Sequence, residues 1–153
     1  MKVGENISQE FVIHGPPCQW TVYVKDKGPP SPSFKRMKAW QEEIRLLFLQ
    51  EWVHGPLDGP VELDTEFYRP RGKGCPARQE RAITRWIEKH LLSRPDLTNY
   101  RKACEDACNG MLFHDDSQVV GGSMIKRYAP QYSEGFTIIR IREVPLWSSQ
   151  PRA

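Results

Sequence analysis

The chain has 153 residues, the size of one domain with a single core. At 39% hydrophobic and 27% charged residues its composition is that of an ordinary globular protein. No apolar run is long enough to cross a bilayer, and the opening MKVGENISQE lacks the apolar core of a signal peptide. No membrane-spanning helix and a cytoplasmic location are the expectations.

Residues 10–14 alternate apolar and polar and read as a strand; Gly15-Pro16-Pro17 breaks it, and residues 20–24 form a short extended segment. The loop Gly28-Pro29-Pro30-Ser31-Pro32 cannot be helical and ends at Ser33, a good N-cap. From 34 to 53, Phe34, Met37, Trp40, Ile44, Leu47 and Phe48 recur at helical spacing, which makes Trp40 a core residue. His54 to Pro60 breaks this helix, and residues 61–68 form a half-buried strand with Val61, Leu63 and Phe67 inward.

Residues 72–76 are a turn, and 77–92 form a second helix with Ala82, Trp86 and Leu92 or nearby positions inward. A third helix runs from 98 to 109, stopped by Asn109-Gly110. Residues 118–128 and 135–144 are two further strands, the second with Phe136, Ile138 or Ile139, and Ile141 inward; 146–153 is a tail. Strands and helices alternate irregularly, so the class is α/β (α+β) with a mixed sheet.

The four cysteines, Cys18, Cys75, Cys104 and Cys108, fit no zinc spacing. Cys104 and Cys108 share a helix face as small core residues, and all four read as reduced and structural. Net charge is only +3, but it is sorted. Lys25, Lys27, Lys35, Arg36 and Lys38 make residues 25–38 basic, and 42–66 are acidic. Arg69, Arg71, Lys73, Arg78, Arg81, Arg85 and Lys89 make 69–89 basic again. Such clusters suit a phosphate backbone, although a solvated surface of fluctuating charge gives the same pattern.

Chemistry concentrates in RPDLTNYRKACEDACNGMLFHDDSQ, residues 94–118. Asp96 precedes the third helix where a loop can aim its carboxylate. Lys102 and Asp106 lie four apart on one face. Asp115 and Asp116 follow the next turn, and a strand–helix–strand path would bring Asp116 back toward Asp96. Phosphodiester hydrolysis builds charge on anionic oxygens, which magnesium neutralises while activating water. A few carboxylates plus solvent satisfy that ion, and a lysine can hold the phosphate. The plainer alternatives are a helix cap at Asp96, an ordinary turn at Asp115-Asp116-Ser117 and a surface pair at Lys102–Asp106.

The order P95-DLTN-99, Lys102, D106-ACNG-110 and D115-DSQV-119, with Lys126 beyond, resembles the RusA-like Holliday junction resolvases of bacteria, prophages and phages. F11-VIHGPP-17, the helix at 34–53, G59-PVELDTEFYRP-70 and F136-TIIRIR-142 fall in that family's order, so the resemblance runs nearly the full length. It implies a single RusA-like endonuclease domain over 1–145. It also implies a homodimer on branched DNA, with Mg2+ (Mn2+ as substitute) at two sites that make paired nicks in recombination and repair.

By motif position, Asp96 and Asp116 are catalytic metal ligands, their acidic neighbour Asp115 is a further metal ligand, and Lys102 is a lysine needed for activity that also contacts DNA. Lys126 falls to DNA binding, together with Arg78, Arg81 and Arg85 on the helix just before Asp96. The family pattern has a second aspartate where this chain has Thr98. Thr98 itself, Asp106, His114 or Glu105 would then complete the metal site. The competing reading is a noncatalytic dimer that binds junctions by shape and charge; a small accessory protein without DNA affinity is a third.

Overall fold

The structure, a computed structural model, describes residues 6–145, without the side chain of Asp26. The predicted tail lies outside that range. At its centre β1 (Ser8–His14), β5 (Phe136–Glu143) and β2 (Val61–Arg69) pair antiparallel in that order. On the far edge of β2 run two short parallel strands, β3 (Val119–Gly121) and β4 (Met124–Tyr128). The sheet is therefore mixed, as expected from the irregular alternation.

The predicted single strand over 118–128 is split in two. Gly122 has φ 123°, and a Cβ there would stand 2.1 Å from the Leu63 carbonyl oxygen. Only glycine lets the chain pass β2 this closely.

One sheet face carries Val61, Leu63, Thr65, Phe67, Ile139 and Ile141, all buried. Against it pack α1 (Pro32–Glu51), through Met37, Trp40, Gln41, Ile44 and Phe48, and α3 (Leu97–Cys108), through Tyr100, Ala103, Cys104, Ala107 and Cys108. Trp40 is thus a core residue, and Cys104 and Cys108 are small residues where two helices meet. Phe48 meets Phe11 edge to face, with centroids 4.8 Å apart; burying each such ring is worth about 1.5–3 kcal/mol. Gln41 is admitted because its Nε2 donates to the Ala103 carbonyl at 2.9 Å.

The opposite face is covered by no helix among the described residues. It is finished by charge. Arg140 bridges Glu10 and Glu66, and Arg142 bridges Glu62 and Asp64. Phe136, expected inward, lies on this face and stacks on Tyr68 at 4.3 Å; Thr137 takes the buried position instead.

The helix boundaries shift for local reasons. Ser31, not Ser33, caps α1: its Oγ accepts from the Phe34 N–H at 3.1 Å, and Pro32 takes the first helical position. The helix ends at Glu51, short of the expected 53. The second helix, α2, covers Glu80–Leu91, because Gln79 has φ 69° and cannot extend it. It buries no residue fully. Leu92, expected inward, is 88% exposed, and α2 is held mainly by Trp86 and His90 against Tyr128.

Candidate functional site

Asp96 occupies the N-cap position of α3, and its carbonyl oxygen accepts from the Asn99 and Tyr100 amides at 3.1 and 3.3 Å. Its carboxylate makes no capping hydrogen bond and is exposed. The simple cap reading therefore fails for the side chain, which is left uncommitted at the positive end of a helix dipole.

Cations fix the loop that aims it. Lys126, on β4, donates from Nζ to the Ser93 and Pro95 carbonyls, each at 3.2 Å. Arg69, at the end of β2, donates to the Arg94 carbonyl at 3.2 Å and lies over the Tyr128 ring at 5.2 Å. Partial burial, helped by Arg69, pushes the Lys126 ammonium below the usual lysine range, while the Asp96 charge pulls it back. Lys102 stands one turn into α3, its Nζ 3.5 Å from the centroid of the Trp20 ring. Among the described residues the segment carrying Trp20 pairs with no strand, but the Trp20 N–H donates to the Asn99 carbonyl at 2.9 Å. Thr98 is exposed in the first turn, and Thr98, Lys102 and Asp106 follow at four-residue spacing on one face. The Asp106 carbonyl accepts from Arg45 at 3.0 Å.

Asp115 and Asp116 lie beyond the other end of α3. The twelve residues of that helix span about 18 Å, and the chain turns back only at Gly110–Phe113. β3 then joins β2 at Val61, whereas Lys126 and the Asp96 loop lie alongside Phe67–Arg69. The return of Asp116 to Asp96, expected from the chain path, does not occur within one chain. Among the described residues no three His, Cys, Asp or Glu side chains converge to hold a metal ion.

The two adjacent aspartates differ. Asp115 caps the 3-10 turn Asp116–Gln118: its Oδ2 accepts from the Ser117 N–H at 3.1 Å, and the Gln118 Oε1 accepts from the Asp115 N–H at 3.0 Å. Hydrogen bonds from Ser117 hold the Asp115 carboxyl below its ordinary range. The Asp116 carboxylate is exposed and makes no such bond. Gln118 Nε2 ties the turn to the Leu57 and Gly59 carbonyls at 2.7 and 2.9 Å. His114 pairs with Asp58 at 2.9 Å, both exposed, so His114 and Glu105, which pairs with Arg101 at 2.7 Å, already have partners.

Arg81 and Arg85 are exposed one turn apart on α2, and Arg78 is exposed just before it. Glu80 and Glu88 share the helix surface with the arginines. Through Tyr128 and His90, α2 sits at the Asp96 end of the sheet. Sequence reasoning missed Arg69, Trp20, Asp58 and Gln118. Arg69 begins a basic run, Asp58 lies in the acidic stretch and Gln118 in the DDSQ motif; the role of each, and of Trp20, is known only from what it touches.

Fold and site together define a class: a two-layer α+β domain with a free carboxylate among cations at a helix end, an arrangement suited to phosphodiesters. The chain belongs to the RusA endodeoxyribonuclease family, whose profile, described as Endodeoxyribonuclease RusA, matches residues 21–142. The opening strand and proline turn, which the resemblance included, lie ahead of that match. The chain is also similar to the uncharacterized protein YqaN of Bacillus subtilis (strain 168), 33% identical over 112 residues, covering 71% of this chain and 75% of that protein. No helix among the described residues is long and apolar enough to cross a membrane.

Proposed function

We propose that the protein is a magnesium-dependent endonuclease that resolves four-way DNA junctions by paired nicks in recombination and repair, acting as a homodimer in the bacterial cytoplasm on host, prophage or phage DNA. The observation that carries this reading is the uncommitted Asp96 carboxylate at the helix end, with Lys126, Arg69 and Lys102 grouped around its loop. Cations there hold a phosphate in place while Asp96 faces the ion that neutralises it.

The metal fit needs two chains. One protomer offers Asp96 at one end of α3 and Asp116 at the other, and among the described residues no three His, Cys, Asp or Glu side chains converge at either end. Magnesium is content with one or two carboxylates, water and phosphate oxygens. A two-fold dimer that sets the Asp96 end of one protomer against the Asp116 end of its partner gives each centre both aspartates, and two centres per junction. Bound there, the ion supplies charge neutralisation and an activated water, with manganese as a substitute. Asp115 acts by fixing the turn that presents Asp116, Lys102 holds the phosphate, and Thr98 offers a neutral oxygen beside Asp96. Arg78, Arg81 and Arg85 contact flanking phosphates.

Thr98 favours a second reading, a noncatalytic dimer that binds junctions without cutting, since a charge is missing where the family pattern has a carboxylate. Incubation of a labelled four-way junction with magnesium or manganese separates the two. Symmetric nicks are expected; tight binding with intact strands under both ions would establish the second reading.

A further inference from the structure

The loop at 129–135, after β4, presents Tyr132 with its side chain almost wholly in solvent: it is 93% exposed. Its φ is 69°, a left-handed backbone that a bulky residue adopts only where its surroundings enforce it. The enforcement is visible. The Ser133 N–H donates to the Pro130 carbonyl at 3.1 Å, and the Gly135 N–H donates to Ser133 Oγ at 3.1 Å. Gly135 has φ 91° and packs so tightly that a Cβ would stand 2.7 Å from the Tyr68 carbonyl oxygen. Arg71 Nε donates to the Ala129 carbonyl at 3.0 Å, pinning the loop to the chain beyond β2.

Between this loop and the turn after Arg71 lies a cavity of about 260 Å³, walled by Tyr132, Gln131, Arg71, Gly72 and Pro76. That is below the ~300–1,000 Å³ of pockets for drug-sized ligands and suits a single ring system. Among the described residues, the two terminal nitrogens of Arg71 make no hydrogen bond to the protein. An aromatic face, a proline and an unspent guanidinium around a ring-sized slot form a stacking site with hydrogen-bond donors at its side.

Its position favours a nucleic acid. Arg69, two residues before Arg71, holds the Arg94 carbonyl of the loop that aims Asp96, and Ala129 follows the strand that carries Lys126. The slot and the Asp96 site therefore share one end of the sheet, flanked by the arginines of α2. We infer that this slot takes one unstacked nucleobase from the branch point, with Tyr132 stacking on the ring and Arg71 reaching its carbonyl or ring-nitrogen acceptors. This rests on the junction-binding reading above and adds to it a site that distinguishes branched from continuous DNA.

Metal-free binding titrations of three variants test it, using a four-way junction, the matched linear duplex and a junction with abasic nucleotides at the branch. Tyr132→Asn tolerates the left-handed backbone and removes the ring; Tyr132→Phe keeps the ring. Wild type and Tyr132→Phe should prefer the intact junction over both other substrates. Tyr132→Asn should lose about 5- to 100-fold of that preference, bind the duplex as wild type does, and no longer sense the abasic change. Arg71→Gln should lose a smaller part. If Tyr132→Asn keeps the wild-type preference and the wild-type response to abasic branches, the slot holds no base. If wild type itself does not distinguish junction from duplex, the junction-binding reading falls, and the slot falls with it.

Discussion

The two ends of α3 are built for different tasks. At its N-terminal end a carboxylate stands free while lysine and arginine fix the loop behind it by hydrogen bonds to carbonyl groups. At its C-terminal end the carboxylates outnumber the cations. One of them, Asp115, is spent on a 3-10 turn so that its neighbour Asp116 faces solvent. In the proposed reading the first end takes anionic phosphate, and the second brings negative charge that a cation or a complementary surface relieves. Neither is complete alone, and the rigid helix between them keeps them about 18 Å apart.

The sharpest way to break this comparison is to remove the free carboxylate and leave the spent one. Asp116→Asn should lower junction cleavage at least about 100-fold while binding stays equal or tightens, because a negative charge near phosphates is gone. Asp115→Asn should cost less, since an asparagine oxygen can still accept from Ser117. Parallel nicking and gel-shift assays check both, and equal losses would contradict the division between the two residues. Replacing Arg78, Arg81 and Arg85 together by alanine should weaken binding to every junction alike. It should reduce the slope of log K against log salt by about 2.7, at roughly 0.9 per phosphate contact. A change in cleavage-site preference alone would argue against a backbone role.

Thr98→Asp sharpens the N-terminal end: it should lower the magnesium needed for half-maximal nicking several-fold by adding a charge beside Asp96. No change would mean that the partner's end already supplies the charge.

The smallest effect concerns the sheet that fixes the spacing between the ends. The hydrogen bond from Arg142, with others from Ser123, lowers the Asp64 carboxyl to about 2. A depressed carboxylate adds stability above its unfolded value near 3.8 and loses it as pH falls toward 2. Urea unfolding should thus show wild type losing its advantage over Asp64→Asn between pH 4 and pH 2, and a constant difference would contradict it.

Much of this architecture was legible in the chain, because periodicity reports burial directly. The stripe from Phe34 to Phe48 and the alternation from Val61 to Phe67 gave α1 and β2 their correct inner faces. Errors arose where one contact overrides a pattern. Gly122 breaks a strand because of the Leu63 carbonyl, Ser31 displaces Ser33 as cap because Pro32 follows it, and Phe136 turns outward to meet Tyr68. The Asp-containing motifs also stood out, but motif order says nothing about distance. Asp96 and Asp116 flank the third helix in the sequence itself, but where the chain goes after that helix depends on β3 joining β2 at Val61 while the Asp96 loop lies beside Phe67–Arg69, which no local signal encodes.

The direct test of a centre shared between two chains is complementation. Asp96→Asn and Asp116→Asn proteins are each inactive in this account. Mixed and allowed to exchange subunits, they form heterodimers in which one of the two shared centres keeps both aspartates. Nicking should return to about a quarter of the wild-type rate, from half the dimers with one working centre each, and as single rather than paired nicks. If the mixture stays inactive although heterodimers form, each centre lies within one chain and the account is wrong.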